Sequence, residues 1–279
     1  MRIRMLALFL TMALPATPAL GFQSKEFSET VPFAAGDRLT IETYKGSIHV
    51  STWDRLEVSI FARIAPPEGE DAGYAAEVVE ATRVQVRHSN GRVSIKSDNS
   101  DVPSKRSGWL SRSRNLAFVH YEIKAPRNAQ LRIEDYKSDI EIYDLVGDVD
   151  VETYKGTLKA ADLDGQFRLD TYKGTADLSG IQGRVDIETY KGEIGLQALR
   201  IRGDSRLETY KGSIELEVAA DQGFDLVADL GRSAALRGNL VEAVSRGTRR
   251  EKHFRSGINS GGPRLEITSH RGDIRLSRR

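Results

Sequence analysis

The feature that most constrains this chain is a short cassette that returns at a nearly fixed interval. Glu152-Thr153-Tyr154-Lys155-Gly156, Asp170-Thr171-Tyr172-Lys173-Gly174, Glu188-Thr189-Tyr190-Lys191-Gly192 and Glu208-Thr209-Tyr210-Lys211-Gly212 are almost identical. Glu42-Thr43-Tyr44-Lys45-Gly46 is an outlying copy, and Glu134-Asp135-Tyr136-Lys137-Ser138 and Thr268-Ser269-His270-Arg271-Gly272 are worn ones. From Tyr136 the tyrosines recur after 18, 18, 18 and then 20 residues. A short fixed period means that each unit is one supersecondary element that buries its apolar face only against its neighbours, as in a solenoid.

The residues around each cassette say which kind. In Val149-Asp150-Val151-Glu152-Thr153 the apolar and polar side chains alternate, which places them on opposite faces of a strand. Lys155-Gly156 turns the chain, with glycine supplying the permissive backbone. A second alternating run carries Leu158 and Ala160 inward, and Leu163 with Asp164-Gly165 closes the unit. The expected fold is therefore all-β: a single parallel β-helix, or β-solenoid, of about 18–20 residues per rung. Parallel crossovers favour a right-handed coil.

Outward positions test that expectation. Down one column stand Arg132, Asp150, Arg168, Asp186 and Arg206, alternating in sign at every step, and down another Glu141, Lys159 and Asp177 before Gly195. Opposite charges facing across strands add roughly 0.2–1 kcal/mol each, and like charges oppose pairing. The alternation predicts in-register stacking.

The chain's start reads as an export signal over residues 1–21. Arg2 and Arg4 precede an apolar run from Met5 to Leu14, and Ala19-Leu20-Gly21 offers a cleavage site. That run is shorter than the roughly 20 residues a membrane helix needs, and no later stretch is long or apolar enough. The expected location is outside the cytoplasm, in the periplasm or at the cell surface. There is no cysteine, so disulfides and a lipid-bearing N-terminal cysteine are excluded. Removing the two signal arginines takes the net charge from +1 to about −1, which gives no overall attraction to nucleic acid or anionic membrane. Residues 22–279 are read as one solenoid domain. Within it, 66–120 form an insertion with a hairpin around Ser89-Asn90-Gly91, and residues 72–82 read as a short helix or a loop followed by a strand. Residues 97–115 form a polar, mobile, basic loop, 131–230 the regular rungs, 232–262 an irregular basic segment, and 263–279 a closing rung.

With these features in hand, the chain resembles the DUF4097-like family of exported bacterial β-helix proteins classed as adhesins. The resemblance is carried by Leu39-Thr40-Ile41-Glu42 and Gly46-Ser47-Ile48-His49-Val50 followed by Trp53-Asp54, then by Tyr121-Glu122-Ile123-Lys124-Ala125-Pro126 and the glycine-turn rungs. It ends with Gly257-Ile258-Asn259-Ser260-Gly261-Gly262 leading to Gly272-Asp273-Ile274. In that family rungs usually turn on a Ser-Gly-Asp-like tripeptide; here Tyr-Lys-Gly replaces it, and only Arg271-Gly272-Asp273 keeps close to the usual form. The resemblance implies a β-helix, an envelope location and a link to envelope-stress regulation.

Candidate ligand-binding residues are Tyr44, Tyr136, Tyr154, Tyr172, Tyr190 and Tyr210, with Lys45, Lys155, Lys173, Lys191 and Lys211 beside them. Stacked at the interstrand spacing of about 4.8 Å, the rings would form a ladder joined by offset stacking and by lysine–ring attraction. Such a ladder welds rungs together and also offers a strip for an envelope polysaccharide or an envelope protein. The carboxylate column Glu152, Asp170, Glu188, Glu208 has the spacing of a retaining glycosidase pair, but it repeats evenly where a catalytic site would break symmetry. The adjacent lysines are expected to neutralise it, leaving calcium binding or glycan cleavage as lesser readings. His49, His88, His120, His253 and His270 lack metal-ligand spacing, and no phosphate loop occurs, so no cofactor or catalytic residue is assigned. Thr153, Thr171, Thr189 and Thr209 are expected to face inward and satisfy one another. A basic cluster at Lys105, Arg106, Trp109, Arg112 and Arg114 reads as a solvated loop, and Arg249, Arg250, Lys252 and Arg255 form another basic group. The sequence reads as a non-enzymatic, adhesin-like binding or scaffolding protein of the envelope. The alternatives are a stress-regulatory component acting by protein contact and, less favoured, a polysaccharide-active enzyme.

Overall fold

The computed structural model describes residues 24–107, 111–113, 115–240 and 252–279. The expected export segment 1–21, Trp109, Arg114, Arg249 and Arg250 lie outside the described residues, as do the side chains of Lys105, Arg106 and Arg112.

The strands Gln130–Tyr143, Val149–Ala161, Phe167–Ser179 and Val185–Ile201 stack in parallel, each bent at its tyrosine. Pairing runs in register: Arg132 faces Asp150, Asp150 faces Arg168, Arg168 faces Asp186, and Asp186 faces Arg206. The alternation then continues one step further than the sequence column suggested, because Arg206 faces Glu266. Glu141 faces Lys159, which faces Asp177, and His49 joins that column with Nδ1 3.2 Å from Glu141. Arg168 and Arg206 are exposed while Arg132, Asp150, Asp186 and Glu266 are part-buried, and each pair is worth up to about 1 kcal/mol; their role is to penalise register slips. The 20-residue step has a local cause. Gly183 pairs with Ile201 at an offset of 18, but Asp186 pairs with Arg206 at 20, so Gly203-Asp204 is the addition. Asp204 Oδ1 then accepts a hydrogen bond from the Arg264 amide at 2.9 Å.

Inward side chains form one continuous core, including Val149, Val151, Leu158, Ala160 and Leu163 of one rung and Phe167, Leu169, Ala176, Leu178 and Ile181 of the next. Each burial contributes about 1.5–3 kcal/mol for the larger side chains. Asp135 replaces the usual corner threonine and Ser138 the usual glycine, and the two compensate each other. Asp135 accepts from the Ser138 amide (2.8 Å), the Ser138 hydroxyl (2.6 Å) and the Thr153 hydroxyl (3.0 Å). Burial raises the Asp135 pKa above its ordinary value, against the opposing pull of those hydrogen bonds. A carboxyl with a higher pKa folded than unfolded binds its proton more tightly in the native chain, so stability is gained as pH falls through the folded pKa towards the unfolded value near about 3.9 and is lost as pH rises again. Asn fits the site, its oxygen accepting from the amide and from Thr153 while its NH₂ donates to Ser138. We expect Asp135→Asn to raise the urea midpoint at pH 7 and the advantage to shrink towards pH 4. A midpoint difference that stays constant with pH would contradict this.

At both ends the order of stacking departs from the order of the chain. Arg38–Glu42 and Lys45–Trp53 form a rung below Gln130–Tyr143, yet the later strands Arg92–Asp98 and Phe118–Pro126 lie below them in turn. Likewise Arg264–Ser269 and Ile274–Arg278 do not form the last layer. They lie between Ser205–Thr209 with Ser213–Val218 on one side and Phe224–Leu230 with Leu236–Arg237 on the other. The reading of residues 263–279 as a closing rung holds for the chain's order and not for the stack.

Antiparallel strands finish the ends. Arg83–Ser89 pairs with Arg92–Asp98 through Asn90-Gly91, both at positive φ, and Glu57–Ala65 with Lys25–Pro32 covers Phe118–Pro126. His253–Ile258 covers Phe224–Leu230. The helix Ala72–Ala81 is capped by Asp71, which accepts from the Tyr74 amide, and buries Tyr74, Ala75, Val78 and Val79. The loop expected from residue 97 begins as packed chain. Ser97 is buried between the Thr43 hydroxyl (2.9 Å) and the Tyr121 hydroxyl (2.7 Å), and Val102 joins the core. No described helix is long and apolar enough to cross a membrane.

Candidate functional site

The bend in each rung places its tyrosine at an outer corner. Tyr44, Tyr136, Tyr154, Tyr172, Tyr190 and Tyr210 form an unbroken ladder, with ring centroids 4.6, 4.9, 4.9, 4.8 and 4.8 Å apart and planes within 10° of parallel. His270 continues it, tilted by 43° at 5.3 Å from Tyr210. The first four rings remain about two-fifths exposed, from 38% to 41%. Because each face lies against the next ring, what the ladder offers to solvent is a row of ring edges and hydroxyls. The edge is the positive part of the aromatic quadrupole.

The two flanks of this ridge differ in charge. On one side lie Glu42, Glu134, Glu152, Asp170, Glu188 and Glu208, which pair in register down the stack. Arginines and end residues neutralise much of this column. Arg132 bonds Glu134 (2.7 Å), Asp150 and Glu152 (3.0 Å), Arg206 bonds Glu208 (2.6 Å), and Lys96 bonds Glu42 (2.5 Å). The lysines of the cassette were expected to do this and do not, because the bend carries them to the other flank.

On that other flank Lys137, Lys155, Lys173, Lys191 and Lys211 line an open groove of about 1120 Å³. They run from one rung to the next, Lys137 facing Lys155, Lys155 facing Lys173, and Lys173 facing Lys191. Among the described residues none of the five makes an ion pair. Three of the ammonium groups lie 5.6–5.8 Å from tyrosine centroids. The groups lie over the rings but close to the roughly 6 Å limit of a cation–π contact, so the expected lysine–ring attraction is weak.

Glycines Gly156, Gly174, Gly192 and Gly212 floor the groove. They are needed because successive rungs approach closely there: a Cβ on Gly174 would lie 2.7 Å from the Gly156 carbonyl oxygen, and Gly156 itself has φ +144. Thr157 and Thr175 stand on the far wall.

Not every residue singled out in the sequence belongs to the strip. Tyr44 joins the ladder, but Lys45 turns away: its Nζ donates to Asn115 at 3.0 Å and sits 4.1 Å above the Phe118 ring. Burial, followed by repulsion from Lys137, lowers its pKa. Phe118 lines the groove's end beside it. Lys137, from the worn copy at residues 134–138, also belongs to the groove. Thr171, Thr189 and Thr209 are buried as expected, but they do not satisfy one another. Thr209 accepts from the Gly212 amide at 2.8 Å, whereas the hydroxyls of Thr171 and Thr189 have no hydrogen-bond partner among the described residues. Among the described residues no three His, Cys, Asp or Glu side chains gather as a metal site.

No curated protein matches this chain. Among solved structures it is similar to a candidate cell adhesion protein from Clostridium sporogenes, at 12% identity and a TM-score of 0.37 over 92% of this chain and 100% of that one. Candidate adhesins from Bacteroides fragilis (10% identity, TM-score 0.33, 91% of this chain and 97% of that one) and Parabacteroides merdae (8%, 0.30, 90% and 96%) are also similar. These likenesses are too loose to carry an argument about role. The family model is decisive: it matches residues 9–277, and the chain belongs to the Toastrack DUF4097 family.

Proposed function

We propose that this chain is a non-enzymatic binding protein of the bacterial envelope, exported by its N-terminal segment and wound right-handed, which holds an extended partner along the Tyr/Lys strip. One observation carries this reading: five lysines that make no ion pair among the described residues line an open groove beside a continuous row of tyrosine edges and hydroxyls. A fold needs none of those ammonium groups unpaired, and an edge-on aromatic ridge complements negative charge. The evenness of the carboxylate column supports a scaffold over a catalyst.

The test is co-sedimentation of the purified chain with isolated envelope polysaccharide. Tyr154, Tyr172 and Tyr190 are changed together, once to Ala and once to Phe. The Ala variant breaks four ring contacts, worth roughly 0.5–1.5 kcal/mol each, so it should both melt earlier and lose binding. The Phe variant keeps the stacking and removes the hydroxyls, and should remain folded with binding weakened several-fold. A folded Phe variant and a folded Ala variant that both bind as the parent does would overturn the reading.

A further inference from the structure

We infer that the groove's ligand is a linear polyuronate, an acidic glycan with a carboxylate on successive six-membered rings, lying along the coil axis. This rests on the binding role proposed above and names its ligand class.

The first argument is charge. The groove has five lysines that make no ion pair among the described residues. Of the carboxylates that line it, only Asp273 is paired with a cation among the described residues, Arg237 at 3.2 Å; Asp139 accepts the Thr157 hydroxyl at 2.6 Å and keeps its charge. Five lysines thus stand against two carboxylates without a cation partner, Asp139 and Glu193. The groove therefore favours an anion, and the positive rims of the tyrosines add to the preference.

The second argument is spacing. The ammonium groups repeat once per rung, about every 4.8 Å, so five of them cover about 19 Å. An extended chain of pyranose rings advances by close to one rung per ring, so its carboxylates recur in step with the lysines. The glycine floor lets the chain lie close to the backbone; Thr175 offers a hydroxyl to its ring oxygens and alcohols, and Thr157, whose proton goes to Asp139, can accept from an alcohol.

The third argument concerns the competing polyanion. Proteins that hold single-stranded nucleic acid present free aromatic faces on which bases stack. Here neighbouring rings cover one another at 4.8–4.9 Å, which leaves no face for a base along the length of the ladder.

Affinity for 1,4-linked oligouronates of increasing length tests this by calorimetry at two salt concentrations. Affinity should rise with each added ring up to about five rings, the number of lysines, and then level off. It should weaken with salt, and fall about 30-fold in Lys155→Gln/Lys173→Gln/Lys191→Gln, since three solvated ion pairs at roughly 0.7 kcal/mol each remove about 2 kcal/mol. Glu193→Gln should bind more tightly. Binding that ignores length, or equal affinity for single-stranded DNA or polyphosphate of matched charge, would overturn the inference. If oligouronates fail while the chain still co-sediments with envelope polysaccharide, the ligand class is wrong and the strip's role stands. If both fail, both are wrong.

Discussion

A valine in place of Gly212 is expected to destabilise the chain by roughly 3–5 kcal/mol, a large part of the usual stability of a domain. A Cβ at this position would lie 2.6 Å from the carbonyl carbon of Gly192 and 2.7 Å from its nitrogen, and closer still to the oxygen. All three atoms are backbone in the adjoining rung, so no side chain can rotate away. Relief requires the two rungs to separate at the corner, and separation breaks the parallel ladder and the Tyr190–Tyr210 stack together. Urea unfolding followed by circular dichroism measures the loss. Lys211→Gln, one residue away and exposed, is the control and should shift stability by less than about 0.5 kcal/mol. A cost below about 1 kcal/mol for Gly212→Val would show that the rungs do not approach as described.

Ending the chain after Pro263 should have a still larger effect. In a solenoid whose chain order matches its stacking order, loss of the last rung exposes one new edge. Here the lost strands Arg264–Ser269 and Ile274–Arg278 lie inside the stack. Their removal exposes the edge of Ser205–Thr209 and Ser213–Val218 and strands Phe224–Leu230 with nothing beneath it. It also deletes the fully buried Leu265, Ile267, Ile274 and Leu276, which at about 1.5–3 kcal/mol each contribute on the order of 6–12 kcal/mol. The truncated chain should expose unpaired strand edges and aggregate on expression. A truncated protein that stays monodisperse, with a melting temperature within a few degrees of the parent, would show that the returning rung is dispensable.

The inserted rungs mark where the sequence stopped being informative. The strand Arg264–Ser269 alternates like any other rung, and nothing in its residues says which neighbour it takes. That choice depends on the path of residues 219–263 through space, a long-range matter. The same holds at the opposite end, where Arg92–Asp98 and Phe118–Pro126 stack outside a rung that precedes them in the chain. By contrast, the Arg/Asp column was legible from spacing alone, since an offset of 18 is a property of the sequence and pairing energetics demand opposite signs. The tyrosine ladder was legible for the same reason.

The candidate site was legible by residue and less so by arrangement. A corner tyrosine with a carboxylate before it and a lysine after it reads as one mixed strip, because the three are adjacent in sequence. The bend at the tyrosine separates them onto two flanks, so Glu134, Glu152 and Glu208 meet arginines from their own or neighbouring strands, and the groove lysines make no ion pair among the described residues. Lys45 was indistinguishable from its counterparts until Phe118 and Asn115, more than 70 positions away in the case of Phe118, were seen to engage it.

What the sequence determined by itself was the repeat, the alternation inside it and the sign of each outward column, and these settle strand, register and ladder because all three are local or periodic. What the tertiary structure decided was the order of the end rungs, the covering of the tyrosine faces by one another and the separation of acid from base across the ridge. Those depend on the direction the chain takes at each corner, and on contacts closed over long stretches of chain, neither of which a residue's identity encodes.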